Sequence, residues 1–169
     1  MRDIQTVPIP QQIAVQHRIF PSIRPNVESI LLLPPSSESG KKVPLILMPH
    51  GGPHSAFTTE YSVYCAGLVT LGFGCLLVNY SGSIGFGEQS ISALIGEIGV
   101  LDVQDMLAVV EEVKRVAEVD TRNLFLMGGS HGGFLTAHLL GCAPLAWRGA
   151  CMRNPVINIG GTLISYGFF

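Results

Sequence analysis

From Val27 onward, apolar positions come in short blocks separated by glycine-rich, proline-rich or polar turns. "VESILLLPP" predicts a strand from Val27 to Leu33, and "VPLILMP" a second from Val43 to Met48. The polar stretch "PPSSESGKK" between them suits a turn, so the two strands should pair as a hairpin. "EYSVYCAGLVTLG" then suits a helix ending at Gly72. "CLLVN", Cys75 to Asn79, is a continuous apolar run, as in an inner parallel strand buried on both faces. From Asp102 to Glu118, Val103, Leu107, Val110, Val113 and Ala117 recur at helical spacing, and Asp102 suits the N-cap. "LFLMG" predicts the next strand, His131 to Leu140 a helix, and "GACMR", Gly149 to Arg153, a further strand. This alternation of strand and helix predicts an α/β fold with a mainly parallel sheet. Residues 1–26, with Pro8, Pro10, Pro21 and Pro25, read as an irregular lead-in or linker. No internal repeat is present.

Composition sharpens this picture. Of 169 residues, 47% are hydrophobic and only 13% charged, which fits a doubly covered sheet in one domain. The net charge of −2 and the scattered Lys and Arg give no basic surface for nucleic acid or an anionic membrane. No apolar run reaches membrane-spanning length, and the N-terminus lacks the apolar core of a secretory signal. Cys65, Cys75, Cys142 and Cys151 form no CxxC motif and lie in apolar surroundings, which predicts buried free thiols in a reducing, cytoplasmic setting.

The chemistry concentrates in "GGSHGGF", Gly128 to Phe134. Gly128, Ser130 and Gly132 fit G-x-S-x-G directly after a strand, the pattern of a nucleophile elbow. A strand that turns sharply into a helix with Ser130 at its apex leaves no room for side chains at Gly128 and Gly132, and Gly129 and Gly133 relieve crowding further. The turn would expose Ser130 Oγ and aim the first helical N–H groups at a developing oxyanion. "MPHGGPHSAF" sits at the end of an earlier strand, where such a fold supplies its second oxyanion donor. His50 and His54 could instead suggest a metal site, but i, i+4 ligands need a helix, which Gly51-Gly52-Pro53 resists. No metal or other cofactor is expected. "GSIGFG", Gly82 to Gly87, has neither the glycine order of a dinucleotide loop nor a G-K-[ST], and reads as a structural loop.

A serine nucleophile needs a base and an orienting carboxylate, which follow the serine in this fold. After Ser130 the sequence contains no Asp and no Glu. His138 lies roughly 12 Å along the helix, too far to take the Oγ proton. Either the chain is truncated or the base comes from elsewhere.

"MPHGGPHSAF", "LLVNYSGSIGFG", "LMGGSHGGF" and "RNPVINI" together resemble the hydrolase domain of the acylaminoacyl-peptidases, within the prolyl oligopeptidase family. The similarity runs from about Val27 to Ile159. It implies an α/β-hydrolase fold, here incomplete with later strands missing, and a divergent tail over 160–169. It implies a cytosolic, often oligomeric serine hydrolase that releases an N-acylated residue from the start of a peptide. By the same resemblance Ser130 is the nucleophile, and the backbone N–H groups of Gly52 and His131 are the oxyanion donors. The family's N-Y-R-G-S loop has Ser81 in place of its arginine here. The alternatives are a general carboxylesterase of the same fold, and a non-catalytic truncated form that acts through a partner.

Overall fold

The computed structural model describes residues 18–21, 26–34 and 41–158. Ten elements follow in order: β1 (Arg18–Pro21), β2 (Glu28–Leu32), β3 (Val43–Pro49), α1 (Val63–Thr70), β4 (Gly74–Asn79), α2 (Glu88–Ser92), α3 (Leu101–Val113), β5 (Val119–Gly129), α4 (His131–Cys142) and β6 (Gly149–Arg153). The strands form one sheet in the order β1-β2-β4-β3-β5-β6. β4, β3, β5 and β6 are parallel, and β1 and β2 are antiparallel to their neighbours.

The hairpin expected between β2 and β3 does not form. β2 pairs with β4, and β3 lies between β4 and β5. β3 and β4 are joined through α1, a crossover that parallel strands require. Within the stretch read as an irregular lead-in, Arg18–Pro21 forms β1 against β2. The tail over 160–169 lies outside the described residues.

Alternation along each strand divides the core. Leu31, Leu45, Leu47, Leu76, Val78, Leu124 and Leu126 face α3 and α4, where they meet Met106, Val110, Val113, Leu135 and Leu139. Ile30, Leu32, Ile46, Met48, Cys75 and Leu77 face the other way, against Cys65 and Val69 of α1. The two-residue period of a strand sends alternate side chains to opposite layers, so both faces of "CLLV" can be apolar. Every residue of β4 is buried. α1 is capped by Ser62, whose hydroxyl accepts the Cys65 N–H at 3.3 Å.

α3 begins at Leu101 and ends at Val113, short of Glu118. Asp102 is not its N-cap: Val100 holds that place, and Asp102 lies buried in the first turn. β5 starts earlier than "LFLMG" predicts, at Val119. Among the described residues no helix is long and apolar enough to cross a membrane.

This topology places the site. The connection leaving β3 runs to β4 on one side, while β5 lies on the other, and α1 and α4 cover opposite faces. The carboxyl ends of β3 and β5 therefore diverge at a switch point, where open α/β sheets bind ligands.

Candidate active site

Ser130 occupies the apex between β5 and α4, with φ 55° and ψ −122°. A side chain at positive φ is strained, and the surrounding backbone holds it there. Its N–H donates to the Arg153 carbonyl at 3.1 Å, and its carbonyl accepts from Gly133, Phe134 and Val156 N–H. The glycines explain the tightness. A Cβ at Gly128 would stand 2.1 Å from the Gly132 carbonyl oxygen, and one at Gly132 would stand 2.3 Å from the Pro49 carbonyl oxygen. One at Gly133 would stand 2.8 Å from Pro155 Cβ. Gly129 differs from expectation: the nearest atoms a Cβ there would meet are Arg153 Nε, Nη2 and carbonyl oxygen, at 3.6 Å or more. A methyl would fit there in ordinary contact, so its bareness relieves no clash.

The loop after β3 reaches Ser130. A Cβ on Gly51 would lie 3.4 Å from Ser130 Cβ and 3.3 Å from the Gly129 carbonyl oxygen. Gly52 has φ 122° and precedes a cis bond to Pro53. A Cβ on Gly52 would stand 2.8 Å from His54 N, so only glycine fits this turn. Among the described residues no carbonyl takes the N–H of Gly52 or of His131 in a turn or loop bond.

The histidines are engaged elsewhere. His50 is buried and stacks on Tyr80 with ring centroids 4.3 Å apart. Its Nδ1 lies 2.7 Å from the Gly51 carbonyl oxygen and its Nε2 2.7 Å from Ser83 Oγ. In the neutral ring Nδ1–H donates to the Gly51 carbonyl, and the one proton of the Ser83 hydroxyl is shared between Nε2 and the Tyr80 carbonyl oxygen, which lies 2.6 Å from Ser83 Oγ. Burial holds the His50 pKa below the ordinary imidazole value, against the Gly51 carbonyl, which raises it; nearby His131 adds to the lowering. His54 Nδ1 lies 2.9 Å from the Gly82 carbonyl oxygen. No group of metal-ligating side chains occurs among the described residues. His138 rests against Phe134.

His131 contributes more than its backbone. Its Nε2 lies 3.0 Å from Asp102 Oδ2, and both side chains are buried. Asp102 Oδ1 accepts the N–H of Gly99 at 2.8 Å and of Val103 at 2.9 Å. Tyr80, also fully buried, donates its hydroxyl to the His50 carbonyl at 2.8 Å. Burial, and secondly the charge of Asp102, push its pKa far up, so this hydroxyl remains a donor. The Ser81 N–H donates to Asp105 Oδ2 at 3.0 Å, so the residue in place of the family's arginine is tied inward. As parts of this site, Asp102, Tyr80, Ser83 and Arg153 escaped the sequence reading, which gave Asp102 only a helix cap and Arg153 only a strand end. The only signal was a lone acid, hydroxyl or cation beside an apolar run. Cys142 and Cys151 are exposed, contrary to expectation, while Cys65 and Cys75 are buried; all four are free.

A cavity of about 700 Å³ opens beside Ser130, walled by Met48, His50, Phe57, Tyr64, Met127 and Arg153 among others. Mostly apolar walls with a few polar groups are typical of small-molecule sites. The arrangement can present a serine hydroxyl to a carbonyl compound. Among the described residues, however, no histidine or carboxylate hydrogen-bonds to Ser130 Oγ.

Comparison with known proteins agrees with this geometry. The human acylamino-acid-releasing enzyme is 46% identical over 156 residues, which covers 92% of this chain and 21% of the human protein. The enzyme of that name from Arabidopsis thaliana is 44% identical over 124 residues, covering 73% and 16%. The crystal structure of a puromycin hydrolase superposes with a TM-score of 0.82 at 27% identity, covering 92% of this chain and 24% of that one. The acylaminoacyl peptidase of Pyrococcus horikoshii, at 24% identity, shares the fold with a TM-score of 0.80 over 94% of this chain and 25% of its own. The chain thus spans about one fifth of the length of the curated relatives it matches. Residues 58–166 match the prolyl oligopeptidase family, and with these α/β-hydrolase neighbours the chain belongs to that family.

Proposed function

We propose that this chain carries the nucleophile side of a serine hydrolase that releases an N-acylated amino acid from the N-terminus of acylated peptides. Ser130 Oγ attacks the carbonyl carbon and forms the ester as the C–N bond breaks, the serine proton ending on the leaving amine. Water then hydrolyses the acyl-enzyme, releasing the acylated amino acid and restoring the serine hydroxyl. The backbone N–H groups of Gly52 and His131 receive the oxyanion. The observation that carries the reading is the strained Ser130 apex facing the Gly51-Gly52 loop. The names of the human and Arabidopsis relatives support the acyl-peptide substrate. The free thiols suit a cytosolic setting.

A second reading, a chain that acts by binding a partner, is favoured by one observation: the described residues bring no base to Ser130 Oγ.

Mass spectrometry after exposure to an activated ester tests the first reading. Attack on p-nitrophenyl N-acetylalaninate expels p-nitrophenolate and leaves acetylalanine on Ser130, while the serine proton passes to solvent. The adduct should form on the chain and not on Ser130→Ala. Faster acylation by p-nitrophenyl butyrate would favour a general esterase. No adduct from either ester would leave the partner-binding reading.

A further inference from the structure

Among the described residues, the cavity beside Ser130 is lined by one permanent charge. There its wall contains Met48, Phe57, Tyr64 and Met127 but no Asp or Glu, and His50 is held toward its neutral form by burial. Arg153 is the cation, since a guanidinium keeps its proton throughout the working pH range. Among the described residues no carboxylate pairs with it.

The backbone sets where this cation sits. Arg153 pairs with Gly129 in the β5–β6 register, and its carbonyl accepts the Ser130 N–H. Its guanidinium lies across Gly129, with both Nε and Nη2 3.6 Å from where a Cβ would be. The charge therefore stands over the residue preceding the nucleophile, in an exposed side chain that also lines the cavity. A planar fork of N–H donors matches a carboxylate through two parallel hydrogen bonds. An unneutralised cation beside apolar walls also concentrates anions at the mouth of a cleft.

We infer that Arg153 receives a carboxylate of the bound ligand and is a specificity determinant for anionic acyl peptides; the peptide part of this rests on the function proposed above. The carboxylate can come from an acidic side chain or from the free C-terminus of a short acyl peptide.

Titrations of the ¹⁵N-labelled chain, read at the Gly129 and Ser130 amides, test this with small probes. Hexanoate should bind about tenfold more tightly than hexanamide, the size expected of a charge-assisted hydrogen bond in a partly wet site. Arg153→Gln should bring the two within about twofold, mainly by weakening hexanoate, without changing the melting temperature. Arg153→Lys should keep part of the preference, and added salt should reduce it. Equal affinities in the unaltered chain, a preference that survives Arg153→Gln, or binding of neither probe would each overturn the proposal. Acetyl-Ala-Glu-amide against acetyl-Ala-Gln-amide then reads the side-chain source. Acetyl-Ala-Gln as free acid against its amide reads the terminal source. The acyl-peptide reading is scored separately, with the same peptides lacking the acetyl group. A carboxylate preference indifferent to acetylation would keep the role of Arg153 and sink that reading. An acetyl preference indifferent to charge would do the reverse.

Discussion

Asp102 and His131 join the first turns of two helices, with Oδ2 and Nε2 3.0 Å apart and both side chains buried. His131 is also the residue that follows Ser130, so this contact anchors the start of α4 where the strand-to-helix turn ends. Asp102→Ala would strand the N–H groups of Gly99 and Val103 as well as the imidazole. It should cost about 3 kcal/mol in urea denaturation. Asp102→Asn keeps an acceptor for the two N–H groups and offers an N–H to the ring. It should cost less than half as much. A positioning role beyond stability would show as slower acylation of Ser130 in the folded Asn variant.

The elbow glycines should separate from the helical ones. Gly128→Ala and Gly132→Ala drive a methyl into backbone atoms at 2.1 and 2.3 Å, which the strand–helix junction cannot yield. Each should cost about 3 kcal/mol or more, or abolish folding. Gly67 is exposed within α1, with nothing within 4 Å of its missing methyl. Gly67→Ala should gain about 0.5–1 kcal/mol. Thermal melts of the variants side by side check both signs.

Stability should fall as acid is added below the ordinary imidazole range. His50 is held below its usual pKa of 6.5 by burial, so the unfolded chain takes up a proton that the folded chain refuses. Its contribution is complete above about pH 6.5 and is lost as pH falls from there toward the folded-state value. His50→Gln should flatten the denaturation midpoint across that window. A slope unchanged by the substitution would assign it to other groups.

Peptide hydrolysis by the chain alone should be slow. With no base brought to it by the described residues, Ser130 Oγ stays a neutral alcohol, and oxyanion stabilisation with binding leaves at most roughly 10³–10⁴-fold over water. Ser130→Ala should therefore change the rate little. Rapid fluorophosphonate labelling that depends on Ser130 would reveal a base supplied from outside the described contacts.

What could be read from the chain was local. Ser130 and the clashes at Gly128 and Gly132 follow from four glycines around one serine after an apolar run, a pattern with few other steric solutions. β4 and the core of β5 were legible because a doubly buried strand is apolar without interruption. The pairing of β2 was not, because its partner is chosen by sheet order, and adjacency in sequence suggested β3 instead. Asp102 read as a cap because acids favour helix starts. It does accept N–H groups at that helix start, from inside the first turn, but its second oxygen serves a ring on another helix. Cys142 and Cys151 have apolar neighbours in sequence, yet one closes α4 and the other lies on the sheet's last described strand.

The order of strands in the sheet also sets an order in time. β3 emerges from the ribosome early, but one of its two partners is β5, and the Ser130 N–H donates to the carbonyl of Arg153. Contacts so distant along the chain close late, after their loop entropy has been met. A nascent chain therefore displays the glycine loop long before it has a strained serine for that loop to face. The strained serine apex is assembled only when the sheet is, so a half-made chain carries Ser130 as an ordinary, unstrained residue.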